Sequence, residues 1–191
     1  MTMEKAPLTR ADDSIARGLD EWMAEVPDAD HDVEAARQRV AGLARLLERG
    51  LEQIASRHGF TLGDWDALSA LQRSGPPYER SPKELAKAVG VTSGTMSIRI
   101  DRLAAARLTE CAPARTDGRS RPIRLTGKGR RRWQAATAER TQLEATLTHQ
   151  ALTSTELQEL NLLLAKLLAA FEERFGTAPV RGPGQADQPS L

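Results

Sequence analysis

Apolar positions along this chain fall mostly at helical spacing. Ile15, Leu19, Trp22 and Val26 mark one face of a short amphipathic helix over residues 12–26, which Pro27-Asp-Ala-Asp30 breaks. From Asp32 to His58, the residues Val33, Ala36, Val40, Leu43, Leu47, Leu51 and Ile54 keep one stripe for about seven turns. That length suits a helix packed partly on another subunit. Gly59 ends it, and Thr61 is placed to cap a third helix reaching about Ser74, where Ser74-Gly-Pro-Pro-Tyr78 makes a turn.

The sharpest start signal follows. Ser81-Pro82-Lys83-Glu84 supplies an N-cap serine, a proline at the first helical position and a glutamate at the third, a full capping box. The helix continues through Leu85, Ala86 and Val89 and stops at Gly90; almost at once another begins, with Met96, Ile100 and Leu103 inward. Two helices around a glycine turn form a helix-turn-helix. Residues 108–112 and 121–125 are short β-compatible runs around Pro113-Ala-Arg-Thr-Asp-Gly118, so a hairpin is expected, with Pro113 and Pro122 restricting its pairing.

Thr126 then caps a helix to about Gln150, and Thr153-Ser-Thr-Glu156 is a second capping box. The helix it opens carries Leu157, Leu160, Leu164, Leu167, Phe171 and Phe175 on one stripe. From Gly176 on, three Pro and three Gly in sixteen residues predict a disordered tail. The expected fold is mainly α. It has an N-terminal extension over 1–31, a winged helix-turn-helix unit with a small β-hairpin wing over 62–126, long helices at 32–58 and 127–175, and a tail over 176–191.

Composition agrees with one domain plus tails: 191 residues, 40% hydrophobic and only 4% aromatic. Apolar runs such as Leu162-Leu-Leu-Ala165 are far too short to span a bilayer, and no secretory signal opens the chain. The lone Cys111 excludes an internal disulfide framework, so a cytoplasmic protein is expected. Catalysis has no support: His31, His58 and His149 are scattered, and no serine or cysteine has a nucleophile's context. His31-Asp-Val-Glu34 reads as a solvated helix start rather than a metal site, and no cofactor is called for.

Charge changes the picture more. The net charge is +1, yet residues 1–34 carry ten acids against three bases, while residues 99–132 carry eleven bases against three acids. The basic segment takes in the later part of the second helix of the pair and the hairpin, as a polyanion footprint would. Outward positions on that helix are Thr92, Ser93, Thr95, Ser97, Arg99 and Arg102. Small hydroxyl residues allow close approach to a duplex, and arginine can take guanine O6 and N7 together. Arg115, Arg119 and Arg121 at the hairpin tip are placed for the adjacent minor groove or its phosphates. The alternative is a winged-helix module that binds protein and leaves these arginines solvated.

Ser81-Pro-Lys-Glu-Leu-Ala, Val91-Thr-Ser-Gly-Thr-Met-Ser, Ile100-Asp-Arg-Leu, Asp117-Gly-Arg and Leu125-Thr-Gly-Lys-Gly resemble, in order and spacing, the pattern of the MarR family across residues 32–175. The resemblance implies a homodimer built from the first and last long helices, gripping a palindromic operator in double-stranded DNA with two winged helices. It further implies repression relieved by a small molecule. Arg107 stands where the family has a helix-ending glycine, so a left-handed cap is expected to be lost there.

The N-terminal helix, Gly63-Asp-Trp-Asp66 and Arg73-Ser-Gly-Pro-Pro77 resemble the urate-responsive branch of that family. Carried over by position, its ligand site falls on Trp22, Asp66, Arg99 and Cys111, with an Asp66–Arg99 pair holding the recognition helix until an anionic ligand repels it. Cys111 departs from the branch's arginine. A neutral thiol cannot pair with the ligand's charge, so either Arg107 or Arg115 substitutes, or the effector is another anion, a neutral ligand or none. Trp22 reads equally well as packing and Asp66 as a first-turn acid. Cys111 reads either as an inert small hydrophobe or as an oxidation sensor.

Overall fold

The computed structural model describes residues 13–113 and 121–177. Among them the chain runs α1 (Ser14–Glu25), α2 (His31–Arg57), α3 (Leu62–Arg73), β1 (Glu79–Arg80), α4 (Pro82–Val89), α5 (Ser93–Ala105), β2 (Thr109–Cys111), β3 (Ile123–Leu125), α6 (Gly127–Ala151) and α7 (Ser154–Phe175). The tail from 178 and the tip of the expected hairpin, with Arg115 and Arg119, lie outside the described residues. The chain gathers into two compact units, Met1–Gly50 and Leu51–Leu191. No described helix is long and apolar enough to cross a membrane.

Local side-chain bonds build the first unit. The Asp13 carboxylate caps α1 by accepting from the amides of Ile15 and Ala16 at 2.9 and 2.7 Å, and its other oxygen takes Arg39 Nε at 2.8 Å. Asp30 caps α2 through the amides of Asp32 and Val33. Glu34 collects Arg37, Gln38 and the Trp22 indole, and these donors, Arg37 foremost, hold its carboxyl down at about 2.

The second unit has one apolar core, in which Ile54, Leu68, Leu71, Leu85, Met96 and Leu108 are almost wholly excluded from water. Trp65 belongs to it and Trp133 packs against it, with ring centroids 5.9 Å apart, and Trp133 Nε1 donates to Ser69 Oγ at 2.8 Å. The expected caps at Thr61, Ser81, Thr126 and Thr153 are all present, those at Thr61, Ser81 and Thr153 as complete boxes. Glu139 joins α6 to the end of α2, accepting from Arg57 and lying 2.7 Å from His58 Nε2.

The sheet has order β1-β3-β2, all antiparallel. β2 and β3 are the expected runs, and pairing extends past Pro122, whose carbonyl accepts from Ala112 at 2.8 Å. β1, only two residues long, is an addition. Arg124 on the central strand faces Glu79 at 4.0 Å and Glu110 at 3.6 Å on its two neighbours.

One expectation is corrected at the end of α5. Arg107 takes φ +59° itself, its amide donates to Ala104 O at 2.8 Å, and the Leu108 amide donates to Leu103 O at 2.9 Å. These are the two bonds of a Schellman cap, so the left-handed turn is kept with arginine in place of glycine. The tertiary fit of Leu108, 1% exposed, decides against the local preference. Close by, a Cβ on Gly129 would meet Leu108 O at 2.0 Å, so the first turn of α6 packs on the backbone entering β2 only because residue 129 has no side chain.

Candidate nucleic-acid interface

α4 and α5 form a tight pair. Gly90 turns the chain at φ +71°, the Val91 amide donates back to Ala86 O at 3.0 Å, and Thr92 caps α5 by accepting from the Thr95 amide at 3.2 Å. Met96 and Leu103 are buried and Ile100 packs on the core's edge, so α5 is clamped along one face and leaves the opposite face open. Of the expected hydroxyls, Thr92 and Thr95 share a contact at 3.0 Å and Ser97 Oγ donates to Ser93 O at 3.0 Å; all four residues are exposed. Each hydroxyl oxygen has further acceptor capacity.

Both arginines of α5 reach toward the first turn of α3. Arg99 Nη1 donates to Gly63 O at 3.3 Å, and a Cβ on Gly63 would lie 2.5 Å from the Arg99 guanidinium carbon. Arg102 is held more firmly. Its Nε and Nη2 donate to Asp64 Oδ1 at 3.1 and 2.6 Å, and Nη2 also reaches Thr61 Oγ1 at 3.0 Å. Asp64 is 3% exposed and already accepts from Thr61 N and Oγ1 as the capping-box partner. Arg102 therefore neutralises a buried carboxylate and ties α5 to the first turn of α3 through Asp64.

Arg121 stands exposed just before β3. Lys128 Nζ donates to Ala106 O at 2.9 Å, placing a cation at the carbonyl end of α5. Ile98 carries neither the charge nor the hydrogen-bonding capacity that marks the other side chains of the outer face in the sequence. It lies on that face and is 67% exposed.

The residues matched to a ligand site divide between the units: Trp22 belongs to the first, and Asp66, Arg99 and Cys111 to the second. Trp22 is 45% exposed, with its indole on Glu34. Asp66 is half-buried beside Arg73. Burial, and after it the neighbouring Arg80, hold the Arg73 guanidinium below its ordinary range, and Asp66 opposes both. Cys111 is a free, exposed thiol on β2, paired in register with Ile123, so it is no part of the core. No cluster of three metal-ligating side chains occurs among the described residues.

A family model described as MarR family matches residues 58–120. The HTH-type transcriptional regulator PecS of Dickeya dadantii is 30% identical over 111 residues, covering 58% of this chain and 67% of that protein. Similar solved folds include YusO of Bacillus subtilis, with TM-score 0.63 and 21% identity over 74% of this chain and 98% of that one. MepR, a transcription regulator of the Staphylococcus aureus multidrug efflux pump MepA, superposes with TM-score 0.62 and 21% identity over 69% of this chain and 95% of its own. Escherichia coli MarR in its apo form gives 0.59 and 23% identity, with the same coverages of 69% and 95%. The match of the winged-helix segment and the extent of the PecS likeness settle the affiliation: this chain belongs to the MarR family of winged helix-turn-helix transcriptional regulators.

Proposed function

We propose that this protein is a homodimeric, sequence-specific DNA-binding regulator that represses from a palindromic operator in the cytoplasm and lets go when a small molecule binds. The open outer face of α5, whose C-terminal half begins the segment with eleven bases against three acids, carries the reading. Thr92, Ser93, Thr95 and Ser97 are the proposed close contacts, Arg99 the proposed base reader once it swings from Gly63, and Arg115, Arg119 and Arg121 the wing contacts. Arg102 keeps a place at the interface through its half-exposed guanidinium, but its main work is on Asp64.

Dimerisation is supported by apolar surface that water should not face. α7 exposes Leu160, Leu164, Leu167, Phe171 and Phe175 on one stripe, and α6 exposes Leu143 and Leu147. Two copies related by a twofold axis would set the recognition helices about one helical turn of DNA apart.

For the effector, the proposed site residues are Asp66, Arg99 and Cys111 of the second unit, taking a purine or another anion. An anion beside Asp66 would add repulsion next to the turn that carries Asp64 and Gly63, both of which hold α5. A second reading makes Cys111 an oxidation sensor, and the exposure of its thiol favours it. The test is a titration of the purified protein against its upstream intergenic DNA, with urate and related purines in one arm and peroxide in another. Steep weakening with salt supports phosphate binding and excludes a module that binds only protein. Release by purines supports the ligand site, whereas release by peroxide that Cys111→Ser abolishes transfers the sensing role to the thiol.

A further inference from the structure

We infer that Ile98 reads a thymine methyl group in the major groove and so sets part of the operator sequence. The inference rests on the DNA-binding reading above. Among the described residues, every other exposed large apolar side chain sits on α1, α2, α6 or α7; Ile98 alone stands on the winged-helix unit, 67% exposed. It is two residues beyond the fully buried Met96, about 200° around the helix axis, so it points away from the core. Its neighbours on that side are low. Ser97 is small, and Gly94, one turn earlier, is so open that an added Cβ would meet only Thr92 Oγ1, at 4.0 Å. The two long polar side chains of the helix lean toward α3, on Gly63 and Asp64. Ile98 is thus the one large apolar group among the described residues of the face offered to a groove, with the exposed Asp101 and Arg102 one turn beyond it.

Chemistry narrows what it meets there. The edges of the bases in the major groove are donors and acceptors, with one apolar exception, the C5 methyl of thymine. A β-branched side chain in a helix holds essentially one χ1 rotamer, so Ile98 presents its methyl groups in a fixed direction and loses little freedom on contact. An isoleucine in this place gives nothing to phosphate or to a polar base edge, and gains only where it meets another apolar group.

The experiment needs the site that the full-length protein selects from a random duplex pool. Each thymine in that site is then replaced singly by deoxyuridine, which removes only the methyl. Ile98→Ala is the paired variant; alanine is the better helix former, and an exposed position leaves the core untouched. We expect wild type to lose about fourfold in affinity at one thymine of each half-site, the worth of one buried methyl. Ile98→Ala should bind the thymine and uracil versions of that position equally. Deoxyuridine that is neutral at every thymine, equal losses in wild type and Ile98→Ala, or a selected site without thymine overturns the inference while DNA binding stands. A pool that yields no enriched duplex overturns the DNA-binding reading and this inference with it.

Discussion

Replacing Arg102 with alanine removes the cation from a carboxylate whose side chain is only 4% exposed. Asp64 would keep the two donors of Thr61 and lose Arg102 Nε and Nη2 at 3.1 and 2.6 Å. Breaking a fully buried ion pair costs about 3–5 kcal/mol, because a charge is left without a partner. Arg102 is itself 48% exposed, so water already weakens the pair and can partly replace the guanidinium; the expected loss falls to about 1–3 kcal/mol. Against a total of about 5–15 kcal/mol, that is large enough to measure. In urea the midpoint should fall by about 1 M with an unchanged slope. A double-mutant cycle of Arg102→Gln with Asp64→Asn, which preserves the shape of the cap, should give a coupling of about 1–2 kcal/mol. If Arg102 works mainly on α3, its removal leaves the salt dependence of DNA binding nearly intact, whereas losing one phosphate contact from each protomer of a dimer would lower the slope by about 1.8. Unchanged stability together with a reduced salt slope would refute the assignment and return Arg102 to the DNA.

Gly129→Ala should destabilise by about 1–3 kcal/mol or more through overpacking, since its Cβ would fall 2.0 Å from a backbone carbonyl that cannot turn away; thermal melts read this directly. Arg107→Gly should stabilise by up to about 1 kcal/mol, as glycine accepts φ +59° without the penalty of a Cβ, partly offset by its greater freedom when unfolded; no rise in the denaturation midpoint would count against the strained cap. Glu34, with its carboxyl lowered from 4.5 to about 2, stabilises its surroundings fully above about pH 4.5 and loses that contribution as pH falls through about 2. The Trp22 indole N–H resonance should shift across that window in NMR, and Glu34→Gln should remove the shift.

Much of the fold can be read from short stretches, because the devices that begin and end its helices are themselves short. Thr61, Ser81, Thr126 and Thr153 each cap a helix through an amide at most three residues away, and Gly90 needs only its own left-handed backbone. The apolar stripe of α7 is equally local, a matter of spacing alone. What escaped such a reading depends on partners distant in the chain. β1 has too few residues to show a period and exists because β3 pairs with it, Glu79 against Arg124. Arg107 looks like a departure from a cap until Leu108, buried at 1%, pulls the chain through the left-handed turn.

The interface shows the same division at closer range. Helical spacing puts Arg99 and Arg102 on the outer side of α5, and charge alone assigns both to phosphate or base. Their side chains are long enough to reach another element, and a carboxylate 38 residues earlier in the chain, desolvated inside the first turn of α3, attracts Arg102 more strongly than open water does. A short side chain on the same helix has no such freedom. Ser93, Ser97 and Ile98 must stay where the backbone places them, so their direction follows from spacing while the direction of an arginine does not. Residues whose reach is no longer than a turn are therefore the ones whose contacts a sequence can assign. On this helix that gives the short side chains and Ile98 the more secure claim to the groove, and it makes the charge excess a poor guide to which individual arginine touches DNA.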